Sequence, residues 1–178
     1  MCGFPHFRKV SFRGEFPIAE VTFSDESFPA DVVIIAFNPF IPLDADNSSI
    51  PAAFFDIQVR TKLKNVTYTL IFAARNAVPK SCNTAMAEED GKFIHFTQSA
   101  YSERDPEYTD FAIAVQSKQT LYQEYFYRGG WQDAITVFWD EFHRGKLENR
   151  HYNNPGHWDV GLVGAVLTPE PGQPEGGR

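Results

Sequence analysis

Cysteine is scarce in this chain: Cys2 and Cys82 are the only two. Neither stands in a CxxC pair or near a histidine cluster, so no zinc-ligating pattern exists. Two thiols without a cysteine framework read as free thiols of a reducing compartment. Long apolar runs are also lacking. The longest, Val32 to Phe37, has strand length and falls far short of a membrane span of ~18 residues. The opening MCGFPHFRKVSFRGEF contains no continuous apolar stretch of the signal-peptide kind, which predicts a cytoplasmic protein. Asn47-Ser48-Ser49 and Asn65-Val66-Thr67 match the glycosylation pattern and read as chance matches in that setting. Positive charge is in deficit, with 16 Lys and Arg against 23 Asp and Glu and a net charge of -7. That balance disfavours a nucleic-acid partner, since phosphate binding runs on Lys and Arg. No nucleophile elbow, phosphate loop or dinucleotide fingerprint occurs, and no cofactor is expected.

Aromatics are abundant, with 17 Phe in 178 residues. A chain of this size and composition buries enough apolar surface to fold as a globular domain. Period-two patterns dominate. Phe16 to Phe23, Asp31 to Phe37, Ala52 to Leu63, Val66 to Ala74, Lys92 to Gln98, Thr109 to Gln116, Leu121 to Tyr127 and Val160 to Leu167 read as strands. Ala52 to Leu63 and Val66 to Ala74, separated by Lys64-Asn65, predict a hairpin. Asn76 to Gly91 reads as a loop ending in the acidic run Glu88-Glu89-Asp90. One helix is signalled over Trp131 to Phe142, with Trp131, Ile135, Phe138 and Phe142 on one stripe and Gly145 as the stop. Trp131 and Trp139 read as core. The glycines of Val160 to Leu167 predict close approach to another backbone. The expected fold is mostly β: an antiparallel β-sandwich of seven or eight strands with one short inserted α-helix, over residues 1–168. Residues 169–178, rich in Pro and Gly, read as a linker or disordered tail.

Asn38 to Pro51 holds three prolines in fourteen residues, which excludes a regular helix or central strand. It reads as an ordered excursion whose Phe40, Ile41 and Leu43 are buried. Candidate chemistry is thin. Asp44 and Asp46 fit turn residues better than a catalytic pair. Asp140 and Glu141, being consecutive, diverge around a helix. His151, His157 and Asp159 match no metal-ligand spacing. His95 is expected exposed or hydrogen-bonded. Trp158, in the polar loop Leu147 to Trp158, is the best aromatic for stacking on a sugar.

Several segments resemble one family. Ala36 to Val59 (AFNPFIPLDADNSSIPAAFFDIQV) carries the resemblance most clearly, within a match starting at Arg13. RGGWQDAITVFWDEFHRGKL and WDVGLVGAVLTPEPGQ follow in the same order. Together they resemble the N-terminal domain of glycoside hydrolase family 116, which includes non-lysosomal glucosylceramidases, also called bile-acid β-glucosidases. The resemblance implies a β-sandwich that packs on a C-terminal (α/α)6 barrel. That barrel carries both catalytic carboxylates of a retaining β-glucosidase. No segment here corresponds to it, so no catalytic residue is transferred. The expectation is an inactive accessory domain, whether fragment, truncation or subunit of a split enzyme. Phe40, Asp44, Asp46, Asn47, His157 and Trp158 are the candidates for sugar or inter-domain contact. The alternative is a free-standing carbohydrate-binding module for β-glucosides.

Overall fold

The structure is a computed structural model that describes residues 4–88, 91–131 and 133–177. It is mostly β, built of antiparallel ladders. By internal contacts the chain divides into two compact units, Met1–Tyr68 with Leu167–Arg178, and Thr69–Val166.

The first unit is a five-stranded sheet in the order β1-β2-β3-β4-β12. Its strands are β1 (Lys9–Glu15), β2 (Ile18–Ser24), β3 (Ala30–Phe37), β4 (Phe54–Thr61) and β12 (Glu175–Gly177). β-Branched β3 sits at the centre and pairs with β4 over eight residues, from Ala30 opposite Thr61 to Phe37 opposite Phe54. Ala30, Val33 and Val59 are almost completely buried. Tyr68 ties the end of this unit down: its hydroxyl meets Thr61 Oγ1 at 2.7 Å and donates to the Pro29 carbonyl at 3.1 Å. Between β3 and β4 the proline-rich excursion makes one helical turn, α1 (Ala45–Ser48).

The second unit stacks three layers. One sheet has the order β10-β6-β7-β8, formed by β10 (Gly156–His157), β6 (Pro79–Glu88), β7 (Gly91–Gln98) and β8 (Phe111–Val115). The other is β5-β11-β9, formed by β5 (Tyr68–Arg75), β11 (Val160–Leu167) and β9 (Thr120–Gln123). They face one another through Ile94, Phe96 and Ile113 on one side and Val163 on the other. On β11 the alternate residue, Leu162, points to the opposite face and packs with Phe126 and Phe138 of helix α2 (Asp133–His143). The Phe126 and Phe138 rings stack at 4.5 Å. The close approach expected of the β11 glycines is present. A Cβ on Gly164 would collide with the Leu70 carbonyl oxygen, and one on Gly161 would stand 3.0 Å from that of Glu124.

Several expectations are corrected. β4 and β5 form no hairpin: β4 is fully engaged by β3 and β12, and β5 joins β11 in a different sheet. The stretch read as a loop from Asn76 contains the ten-residue strand β6. Its inward residues Ser81 and Asn83 are polar, which hides the alternation that marks a strand. Lys9–Glu15, not read as a strand, forms β1 through a complete ladder with β2. These two strands and two short ones, β10 and β12, bring the total to twelve among the described residues. Helix α2 starts at Asp133, so Trp131 precedes it, fully exposed at φ 51°. Trp139 is also exposed, and the buried stripe runs through Ala134, Phe138 and Phe142. Within the Pro/Gly-rich tail, Glu175–Gly177 pairs with β4, and Glu175 accepts from the Thr168 amide. Cys2, Glu89 and Asp90 lie outside the described residues.

Candidate functional site

The excursion that holds four of the six candidate residues is shaped by polar contacts. Asp44 caps the single turn of α1: the Asn47 backbone N–H donates to its Oδ1 at 3.0 Å and the Asn47 side-chain amide to its Oδ2 at 2.6 Å. These two bonds hold the Asp44 carboxyl below its ordinary range, so it is an ionised cap. Ser48 closes the loop by accepting from the Ile41 N–H and donating to the Ile41 carbonyl. Asn38 reaches across to the Ala52 carbonyl. Asp46 is exposed, and its carbonyl accepts from Ser49 Oγ.

The apolar residues of this excursion were expected inside, and they are outside. Phe40 is 50% exposed, Ile41 49% and Leu43 fully so. Leu43 sits at φ 67°, a conformation uncommon for a non-glycine residue. Phe40 packs edge-on against the exposed ring of Phe16 at 5.1 Å. A fixed loop thus presents a cluster of bare apolar side chains.

His157 and Trp158 belong to the second unit, on a loop locked by a separate network. Asp159, almost wholly buried, receives Arg128 in a two-pronged contact: Nε donates to Oδ1 at 2.7 Å and Nη2 to Oδ2 at 2.8 Å. Ser81 adds a hydroxyl bond to the same carboxylate at 2.6 Å. The Arg128 guanidinium also lies over the rings of Tyr125 and Tyr152, at 4.9 and 4.3 Å from their centroids. It donates to the Asn154 carbonyl as well. These contacts hold the arginine charged, its pKa raised above the ordinary value chiefly by the bond to Asp159. Further along, buried Glu124 accepts from the Ala85 amide and from His151 Nδ1, both within 2.8 Å. The Asn149 side chain accepts from the Glu124 amide. Glu141 of α2 pairs with Arg150, which lowers the Glu141 pKa.

The loop ends in an exposed aromatic step. Trp158, at φ 60°, is 56% exposed. Its ring stacks on His157 at 4.7 Å, and Arg75 of β5 lies 5.9 Å from its centroid. This pair offers a flat face for an apolar ligand surface and a cation beside it. The carboxylates of the loop network are each committed to a structural partner. Sequence reasoning picked out the exposed Trp158 and missed Arg128 and Tyr152, whose partners lie 24 to 31 residues away. Among the described residues no group of three or more His, Cys, Asp or Glu is placed to hold a metal ion. His95 is bonded to Asp110 at 3.2 Å.

The proline-rich excursion between β3 and β4, and the small-residue strand β11 after the helix, are the elements on which the sequence resemblance rests. A family model described as beta-glucosidase 2, glycosyl-hydrolase family 116 N-term, matches residues 3–176. The chain belongs to the family 116 N-terminal domains. No curated protein matches it. The family 116 match spans nearly all of both compact units and reaches into β12, as far as Gly176. No helix among the described residues is long and apolar enough to cross a membrane.

Proposed function

We propose that this chain is a non-catalytic β-sheet scaffold for the (α/α)6 barrel of a retaining β-glucosidase of the glucosylceramidase type. The observation that carries the reading is the excursion Asn38 to Pro51. Its loop is fixed by Asp44, Asn47 and Ser48, yet it holds Phe40, Ile41 and Leu43 in solvent. Fixing apolar groups outside a core is unfavourable unless something covers them. A barrel surface is the cover that family membership suggests. The carboxylates Asp44, Asp159, Glu124 and Glu141 serve as a cap or as ion-pair and hydrogen-bond partners, which supports a structural role for them. A reducing, cytoplasmic setting belongs to the same reading, supported by the free Cys82.

The test has two arms. Purified chain incubated with an aryl β-glucoside is expected to give no turnover above buffer, and sustained turnover overturns the reading. Co-expressed with a family 116 barrel, the chain is expected to co-purify with it. Leu43→Lys with Phe40→Ser should abolish that association while leaving the circular dichroism spectrum unchanged.

A second reading, a carbohydrate-binding module, is favoured by one observation, the exposed His157–Trp158 step beside Arg75. Titration with glucosides should then quench tryptophan fluorescence in the wild type and not in Trp158→Ala. An unchanged signal up to millimolar sugar removes this reading.

A further inference from the structure

We propose that two copies of this chain pair through β1, antiparallel, about a two-fold axis at Phe12. β1 is an edge of its sheet, with β2 on one side and no paired strand among the described residues on the other. All seven of its residues are exposed. A bare strand of this length is a template for another strand.

The sequence of β1 selects the occupant and the register. Antiparallel pairing about Phe12 places Lys9 opposite Glu15 of the second copy, twice by symmetry. Ser11 then faces Arg13, Val10 faces Gly14, and Phe12 faces its own copy. Shifting the axis to Ser11 sets Lys9 against Arg13, a repulsive pair on both sides. Moving it to Arg13 sets that cation against itself. Intermediate registers pair residues of opposite face and lose the match altogether. Of these registers, the Phe12 one alone joins unlike charges and brings aromatic against aromatic.

The two faces of the sheet agree with this choice. Val10 and Phe12 share a face with Val21, Phe23, Ile34 and Ile57 through the β1–β2–β3–β4 registers. Val10 is 57% exposed and Phe12 70%. In the paired form this apolar face runs unbroken into that of the second copy, and the exposed valine and phenylalanine lose water contact. The present partners of the charged residues are surface pairs, Lys9 with Glu26 and Arg13 with Glu15, which hold β1 only weakly. A closed two-fold contact of this kind stops at the dimer.

Sedimentation velocity on the full 178-residue chain, across three orders of magnitude in concentration, tests the pairing. The wild type should pass from monomer to dimer. Lys9→Glu, which faces Glu15 with a like charge at two symmetric places, should weaken the dimer about tenfold. Glu15→Lys alone should do the same by the opposite charge. The combined Lys9→Glu, Glu15→Lys chain should recover wild-type association. A wild type that stays monomeric overturns the proposal, as does a dimer indifferent to the single substitutions or one the double variant fails to restore. Circular dichroism on each variant confirms that β1 is folded.

Discussion

Arg128 and Asp159 meet through two parallel bonds, and one of the pair is almost sealed from water. Asp159 exposes 4% of its side chain and Arg128 24%, with two tyrosine rings over the guanidinium. The contact joins the end of the Tyr125–Arg128 segment to Asp159, the residue that follows the long loop. It holds the loop that carries Trp158.

Removing the cation alone leaves a buried carboxylate with Ser81 and no counter-charge. Arg128→Ala is therefore expected to cost about 3 kcal/mol. Arg128→Lys should recover only part of this, because a lysine makes no fork and stacks poorly on tyrosine. Urea unfolding curves of the three proteins, compared at equal slope, give the difference.

Gly164 faces the backbone of β5 with no room for a methyl group. Gly164→Ala should separate β11 from β5 and lower stability by roughly 1–3 kcal/mol. Gly130, which has open space around it, should accept alanine far more readily. Paired thermal melts of the two variants decide it.

His151 donates to buried Glu124, and that bond, with the carboxylate charge, raises the histidine pKa above 6.5. A histidine with a raised folded value stabilises the fold fully below 6.5 and loses its contribution as pH climbs through that higher value. The gap in melting temperature between wild type and His151→Gln should accordingly be widest in mildly acid buffer. It should close as pH rises through the folded value. A gap that widens with pH would contradict the sign.

The helix offers a contrast between two aromatics. Phe138 is buried against Phe126 and Leu162, so Phe138→Ala should cost roughly 3–5 kcal/mol. Trp131 is fully exposed ahead of the helix, and Trp131→Ala should stay within about 0.5 kcal/mol. Chemical denaturation of both variants measures the pair.

What could be read from residues alone followed the clarity of each pattern. β3, β7 and β11 were legible because their apolar side chains are β-branched, alternating or continuous. α2 was legible from its stripe, though its first turn was placed too early, since Trp131 takes a φ of 51°, outside helical geometry. β6 was hidden because Ser81 and Asn83, buried and hydrogen-bonded, look like loop residues. The supposed hairpin failed because short spacing between two strands says nothing about which sheet each joins. For the candidate site, Asp44 and Asn47 were legible as turn formers, whereas the exposure of Phe40 and Leu43 contradicts the ordinary rule that apolar residues go inside. The Arg128 network was not legible at all, since it depends on side chains brought together from distant segments.

The five-stranded sheet takes one border from β1 and the other from β12, so its two flanks are separated along the chain by the whole of the second unit. The remaining unit is drawn from one uninterrupted stretch, Thr69–Val166. During synthesis the ribosome releases everything that stretch needs before it delivers the closing strand of the other. β1 to β4 are synthesised before that stretch and β12 after it, so the first sheet can be closed on its β4 side only once Thr69–Val166 has been made.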